Sequence, residues 1–343
     1  MTAQPWSLVP SLVAFALAAV AIGLGGVKLT ARAEHIARAT GLGELLTGAV
    51  LIGAVTSLAG LITTITAAAS GHASLAVSNS LGGIAAQTTF LAMADLAYRR
   101  ANLEHAAASE ANLLQGNLLI TLLALPLLAM AKPNVAVLDI HPVSIFLVAA
   151  YLFGMRLIDK AQEEPMWRPR VTGETLEGED KQLADSAPGP VAMWVGFLAL
   201  AGLVAGSGWI LARAAISISI HAGVAETVIG GVLTAITTSL PELVVAIAAV
   251  RRGALVLAVG DILGGNTFDV LFLSAADLAY QDGSIYTAIS DNEIFWVALT
   301  IVLVGVLLLG LLRREKHGVA NIGFESVLVL AIYLVGVLTL VFA

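Results

Sequence analysis

The sequence predicts an all-α membrane protein of ten transmembrane helices, arranged as two inverted repeats of five helices each. Three observations lead there. Hydrophobic residues make up 58% of the 343 and charged residues only 12%, with a mean hydropathy of +0.92, which lies outside the range of soluble chains. Ten apolar stretches are long enough to approach or cross a hydrocarbon core of ~30 Å, which takes about 20 residues of helix. Shifting the chain by 182 residues lays block 41–98 onto block 223–280 with about 25 of 58 positions identical, ending in a shared Ala-Asp-Leu-Ala-Tyr at 94–98 and 276–280. Internal repeats of hydrophobic segments are characteristic of transporter folds.

In chain order the stretches lie near 7–27, 43–69, 74–98, 112–131, 142–158, 191–213, 225–250, 254–280, 293–313 and 320–342. No basic residue precedes the first, so it reads as a helix and not as a cleaved secretory signal. The second and third form the repeated block 41–98, and the seventh and eighth form its copy, 223–280. The fifth, 142–158, is the shortest. Between the fifth and sixth lies the one long polar stretch, 159–190, where Glu163, Glu164, Glu174, Glu177, Glu179 and Asp180 mix with basic residues. It reads as a linker between halves 1–158 and 191–343, too short for a domain of its own.

Basic residues set the orientation. Alternate connections gather Lys28, Arg32, Arg38, Arg99, Arg100, Arg156, Lys160, Arg168, Arg170, Lys181, Arg251, Arg252, Arg313, Arg314 and Lys316 on one side, leaving only Lys132 and Arg213 on the other. The expectation is an inner-membrane protein with a cytoplasmic 159–190 linker and both termini outside. An odd helix number per half makes the second copy enter the membrane from the opposite face, so the repeat is inverted.

The net charge of −7 argues against a nucleic-acid partner. The chain has no cysteine, which excludes disulfides, thiol catalysis and thiolate metal ligands. Its six histidines, His35, His72, His105, His141, His221 and His317, fall at predicted membrane boundaries without metal spacing. No motif indicates an enzyme or a bound cofactor. The partners expected are the lipid bilayer and small cations, with the oligomeric state left open.

Two carboxylates stand inside apolar helices in the run TSLPELVVAIAAVRRGALVLAVGDILGGNTFD, namely Glu242 and Asp269. A charge there is costly, so ion handling is the default reading. Pro241 lacks an N–H and frees carbonyls of the preceding turn, next to the hydroxyls of Thr238 and Ser239. Non-helical backbone inside a membrane is tolerated where it is buried or lines a cavity, and oxygen-rich cavities suit hard cations. Gly264 and Gly265 permit close approach, while Asn266 and Asp269, three residues apart, share a helix face. The bland alternative is a proline kink with a protonated glutamate packed against a neighbour.

These residues carry a resemblance. T-S-L-P-E followed by L-A-V-G-D-I-L-G-G-N-T-F-D resembles the second alpha repeat of the sodium/calcium exchanger family, of the calcium/cation antiporter superfamily. The family pattern is G-T-S-x-P-E and then G-N-x-x-G-S-N-x-x-N/D. The resemblance implies that Glu242 and Asp269 are the acidic, metal-binding cation ligands, with Thr238, Ser239 and, from the first repeat, Thr56, Ser57 and Gln87 beside them. It also implies backbone carbonyl ligands near Gly53 and Ala235, and alternating access in which helices 1 and 6 slide over an eight-helix body. The activity implied is secondary antiport of Ca²⁺ or another cation against Na⁺ or H⁺.

The departures from the pattern bear on selectivity. Ala59 and Gly60 stand where the family has proline and glutamate, so one central acid is missing. Gly83 and Gly265 replace the two serines, Ile84 the first asparagine, and Asp261 the asparagine that Asn79 retains in the first repeat. Asn79, Asn266 and Asp261 are therefore second-rank candidates, Asp261 reading equally well as a solvated acid near Arg251 and Arg252. Asp95 and Asp277 read as interfacial acids, and Glu44 and Glu226 as helix-dipole partners. Two alternatives stay open: a sodium/proton or other cation/proton antiporter without Ca²⁺ transport, and a non-transporting homologue.

Overall fold

A computed structural model describes residues 4–40, 53–98, 102–163, 170, 190–315 and 323–342, and these are helical almost throughout. α1 (Leu8–Thr40) is followed by the short α2 (Gly53–Thr56), α3 (Leu58–Ala69), α4 (Ala73–Ala97), α5 (Leu103–Ala107), α6 (Glu110–Ala131) and α7 (Pro142–Glu163). The second half runs α8 (Pro190–Ala222), α9 (Glu226–Val228), a π-helical turn at Ile229–Thr234, α10 (Ala235–Thr238) and α11 (Leu240–Arg252). It continues through α12 (Leu255–Asp269), α13 (Leu271–Ala279), α14 (Asp291–Arg313) and α15 (Phe324–Phe342). The Glu44 reading and most of the 159–190 linker lie outside the described residues.

Among the described residues seven helices are long and apolar enough to cross a membrane, or eight if α9–α10 and α11 count as one broken span. Ten apolar stretches were expected. α4 has the length, at 25 residues, but carries Ser78, Asn79, Ser80, Gln87, Thr88 and Thr89, all buried. It is the central helix, shielded from lipid by its neighbours, so it needs no apolar exterior. The stretch expected at 43–69 is described only from Gly53, where α3 contributes 12 residues.

α1 and α8 pair along their lengths and have their own small core of Ala18, Ile22, Leu29, Ala33, Val204 and Leu211, joined by Val55 and Ala59. A second, larger core is built around α4 by the remaining helices, joined at one end by Ala215, Ile216 and Ile218 of α8. The two bodies meet through glycines. A Cβ built on Gly26 falls 2.4 Å from Pro241 Cγ, and one on Gly208 falls 2.7 Å from the Ala59 carbonyl oxygen. Thr63 Oγ1 also donates to the Gly208 carbonyl at 3.1 Å. Gly26 and Gly208 are 182 residues apart, as are Ala59 and Pro241, so one crossing is made twice with the halves exchanged.

The same exchange ties the helix ends. Asp95 accepts from Leu103 N at 2.7 Å and from Gly323 N at 3.2 Å. Asp277 accepts from Ile285 N at 2.9 Å and from His141 N at 2.8 Å. Each partner lies 182 positions from its counterpart, and in each case the second donor belongs to the opposite half. Asp95 and Asp277 are thus fully buried clamps between halves, not interfacial acids, because each carboxylate satisfies backbone N–H groups at the ends of helical segments.

Candidate functional site

The chain is broken in the same way in both halves. Ser239 interrupts the run between α10 and α11 with φ −96° and ψ 6°, and the two flanking pieces are bent by 45°. Pro241 contributes by withholding an N–H. Ser57 interrupts α2 and α3 with φ −86° and ψ 6°, although Ala59 stands in place of proline. The break in the first half therefore rests on packing, including the contact of Ala59 with Gly208. A third interruption, at Val270 between α12 and α13, leaves the Asp269 carbonyl to accept from Ser80 Oγ at 3.0 Å.

The breaks converge on one small cavity, with room for roughly a single water-sized particle. Its walls bring together Ser57, Asn79, Gln87, Thr238, Ser239, Glu242 and Asp269 from the sequence reading, and Gly60 and Gly83 at the departures from the family pattern. Sequence reasoning missed Ser80 and Phe272. Ser80 lies one residue past Asn79 on the buried α4 and gave no pattern of its own.

The donor–acceptor balance is one-sided. Gln87 Nε2 donates to Asp269 Oδ2 at 2.8 Å and to Ser239 Oγ at 3.2 Å. Both Glu242 carboxylate oxygens, Asp269 Oδ1 and Gln87 Oε1 are buried and make no hydrogen bond within 3.5 Å among the described residues, and the Ser57 hydroxyl, also without a partner at that distance, is the further donor close to Asp269. Among the described residues no lysine, arginine or histidine lines the cavity. Buried polar groups without a partner cost of the order of 1–3 kcal/mol each, more when charged, so four such oxygens in one cavity call for a positive species or a proton.

Other candidates are placed differently. Gly53 O accepts from Thr56 Oγ1 at 3.0 Å and Ser57 N at 3.0 Å, while Ala235 O accepts from Thr238 Oγ1 and Ser239 N, each at 3.2 Å. Both carbonyls are thereby engaged, and neither they nor Thr56 line the cavity. Asn79 binds helices together: its Nδ2 reaches Thr64 Oγ1 at 2.9 Å and Gly60 O at 3.3 Å, and its Oδ1 accepts from Thr234 Oγ1 at 2.6 Å. Asn266 Nδ2 donates to Thr88 Oγ1 at 3.1 Å and lies behind the cavity wall. Asp261 is exposed on α12, away from the cavity, with Glu34 and Arg252 as charged neighbours.

Paired helix breaks around an oxygen-lined cavity, set among long apolar helices, define an integral membrane protein of the ion-transporter class. The pattern of the family described as "Sodium/calcium exchanger protein" matches residues 10–154 and 191–342, and the chain belongs to that family of cation antiporters. The "Putative antiporter CaxA" of Alkalimonas amylolytica is 28% identical over 298 residues, 82% of this chain and 85% of that one. The "Sodium/calcium exchanger MaX1" of Methanosarcina acetivorans is 33% identical over 88 residues, about a quarter of each chain. The fold is shared with the H⁺/Ca²⁺ exchanger CAX, at a TM-score of 0.67 and 15% identity over 99% of this chain and 83% of that one. It is also shared with the sodium-calcium exchanger NCX_Mj soaked with Na⁺ and Sr²⁺, at 0.59 and 18% over 96% and 99%.

Proposed function

We propose that this protein is a secondary active antiporter that exchanges Ca²⁺ or another cation against Na⁺ or H⁺ by alternating access, with Glu242 and Asp269 as its charged ligands. The observation that carries this reading is the set of four buried acceptor oxygens without a hydrogen bond on Glu242, Asp269 and Gln87, three residues that line one cavity where the Ser57 hydroxyl is the one spare donor among the described residues. Ser57, Ser80, Thr238 and Ser239 add hydroxyl oxygens, the chemistry that hard cations select.

The moving part in this reading is the α1/α8 pair. Its separate core and its glycine contacts with Ala59 and Pro241 favour sliding over the larger body. Ten membrane crossings in two inverted halves, 1–158 and 191–343, with a cytoplasmic 159–190 linker and both termini outside, complete the proposal. A cation/proton cycle without Ca²⁺ is the second reading. Gly60 favours it, since two carboxylates balance one divalent ion without surplus charge and a site poor in charge holds divalent ions weakly.

Flux of the purified protein in proteoliposomes, driven by imposed Ca²⁺, Na⁺, K⁺, Mn²⁺ and H⁺ gradients in turn, separates the readings. Ca²⁺ counterflow driven by Na⁺ or H⁺ supports the first; cation flux driven by H⁺ and indifferent to Ca²⁺ supports the second. No flux under any gradient leaves a non-transporting homologue.

A further inference from the structure

Outside the transport cavity, three acids meet at the C-terminal end of α4: Asp95 in the last turn of α4, Glu104 on α5 and Glu325 at the start of α15. Each is at most 1% exposed. The oxygens of Asp95 are occupied by the N–H groups of Leu103 and Gly323. Those of the two glutamates are not. Glu104 Oε1 receives only a long contact, 3.4 Å, from Ser326 Oγ, and Glu104 Oε2 and both Glu325 oxygens meet no donor among the described residues. Nor has Glu325 space to turn away, since a Cβ built on Gly310 falls 2.5 Å from its Cγ and one on Gly323 falls 2.2 Å from its Oε1.

The described charges around the cluster do not neutralise it. Arg313 pairs with Glu315 at 3.6 Å and lies 5.0 Å from the Phe324 ring centre. Arg314 donates to the carbonyls of His105 and Arg170, and its own carbonyl contacts His105 Nδ1. Glu315 adds another negative charge. Two ionised carboxylates buried side by side cost far more than their packing returns. One proton held between them removes a charge and supplies the donor that both lack. We propose that Glu104 and Glu325 share a proton, forming a carboxyl–carboxylate pair that fastens the α4–α6 connection to α15 and makes a proton-binding centre separate from the transport cavity.

Comparison between the halves supports a role beyond the helix clamp. Asp95 and Ser326 have Asp277 and Ser144 as counterparts 182 positions away, and the clamp is complete in both. The counterparts of Glu104 and Glu325 are Tyr286 and Val143. The clamp therefore forms without a second and third acid, and the clamp at Asp95 carries them in addition, Glu104 from the first half and Glu325 from the second. Burial, and after it the charges of Asp95 and Glu325, hold the Glu104 carboxyl well above the usual range. A raised carboxyl pKa stabilises the fold at low pH, and that contribution is lost as pH rises through the folded value.

The test uses the full chain in lipid nanodiscs, with Glu104→Gln and Glu325→Gln. At neutral pH each variant is expected to lose a protonated-carboxyl C=O band from the infrared difference spectrum. Each is also expected to flatten the fall in melting temperature that the wild type shows on going alkaline, with cation flux retained. Unchanged carboxyl bands in both variants overturn the proposal, as they would if a basic group kept both acids ionised. So does a wild-type band that Ca²⁺ or Mg²⁺ abolishes at neutral pH while raising the melting temperature, because a metal ion is then the occupant. If one variant does not fold, the other carries both readouts. Failure of both overturns the proposal too, since glutamine is isosteric with the protonated acid it replaces.

Discussion

Gln87 and Asp269 hold the same position in the two repeated blocks, 182 residues apart, and are hydrogen-bonded to each other, Gln87 Nε2 donating to Asp269 Oδ2 at 2.8 Å. The pseudo-symmetry of the sequence thus becomes a contact at the centre of the molecule. Because one partner is an amide and the other an acid, the contact is polarised. The Gln87 N–H₂ group does for one Asp269 oxygen what a cation does for a carboxylate, while Asp269 Oδ1 and Gln87 Oε1 stay without donors.

Replacing Glu242 by Gln or Asp269 by Asn removes a charge and keeps the shape. Each variant is expected to fold and to lose about tenfold or more in cation affinity, equivalent to about 1.4 kcal/mol. Isothermal titration with Ca²⁺ and Na⁺, together with flux, measures this. Wild-type affinity in both would remove Glu242 and Asp269 from the site.

Gly60→Glu introduces the acid that the family pattern has at this position. A Cβ at Gly60 falls 3.1 Å from Phe272 Cε2, so Phe272 must give way, and such overpacking costs about 1–3 kcal/mol. The expected result is tighter Ca²⁺ binding in a less stable protein, with the stability recovered when Phe272→Leu is added. Weaker Ca²⁺ binding in the double variant would show that Gly60 is not where charge is missing.

Gly26→Ala and Gly208→Ala test the sliding interface. Their Cβ atoms meet the rigid ring of Pro241 and the Ala59 carbonyl below 3 Å, so a shift is forced where the α1/α8 pair crosses the breaks. Turnover is expected to fall severalfold or more while equilibrium cation affinity stays within about twofold, a change worth less than 0.5 kcal/mol. Matched losses in both quantities would point to damage of the cavity and away from gating.

Asp95→Asn and Asp277→Asn weaken equivalent clamps. Each is expected to lower stability by about 1–2 kcal/mol, the usual cost of a lost cap, without altering which cation is carried. Melting curves and flux selectivity check this, and a changed selectivity would link the clamps to the cavity.

Single cysteines in this cysteine-free chain report the orientation. A cysteine at the exposed Glu163 is expected to be labelled from the cytoplasmic side only, and one at the exposed Asp282 from the outside only. Labelling of both from the same side would end the inverted arrangement.

Much of this was legible in the chain, and the limits have physical causes. The Thr-Ser-Leu-Pro-Glu run announced the break at Ser239 because proline acts locally. The matching break at Ser57 has no proline and depends on Ala59 meeting Gly208 across 149 positions. Asp95 and Asp277 stood out only as repeated acids near helix ends, since their donors, Gly323 and His141, are supplied by the opposite half. The sequence did not show that the carbonyls of Gly53 and Ala235 accept from the hydroxyls of Thr56 and Thr238, because those side chains turn back onto them only in the folded backbone.

The sequence by itself determined the membrane character, the 182-residue repeat, the two acids Glu242 and Asp269 beside breaks in apolar helices, and the missing acid at Gly60. The first three follow from composition, from comparing the chain with itself and from neighbours in the chain; the fourth follows from the resemblance to the family pattern. Tertiary structure alone decided which oxygens face the cavity without donors, that Gln87 answers Asp269, and that each half clamps the other. Those outcomes depend on which groups packing brings into hydrogen-bond distance across separations of 136 to 228 residues, and hydrogen bonds of that reach leave no local trace in the sequence.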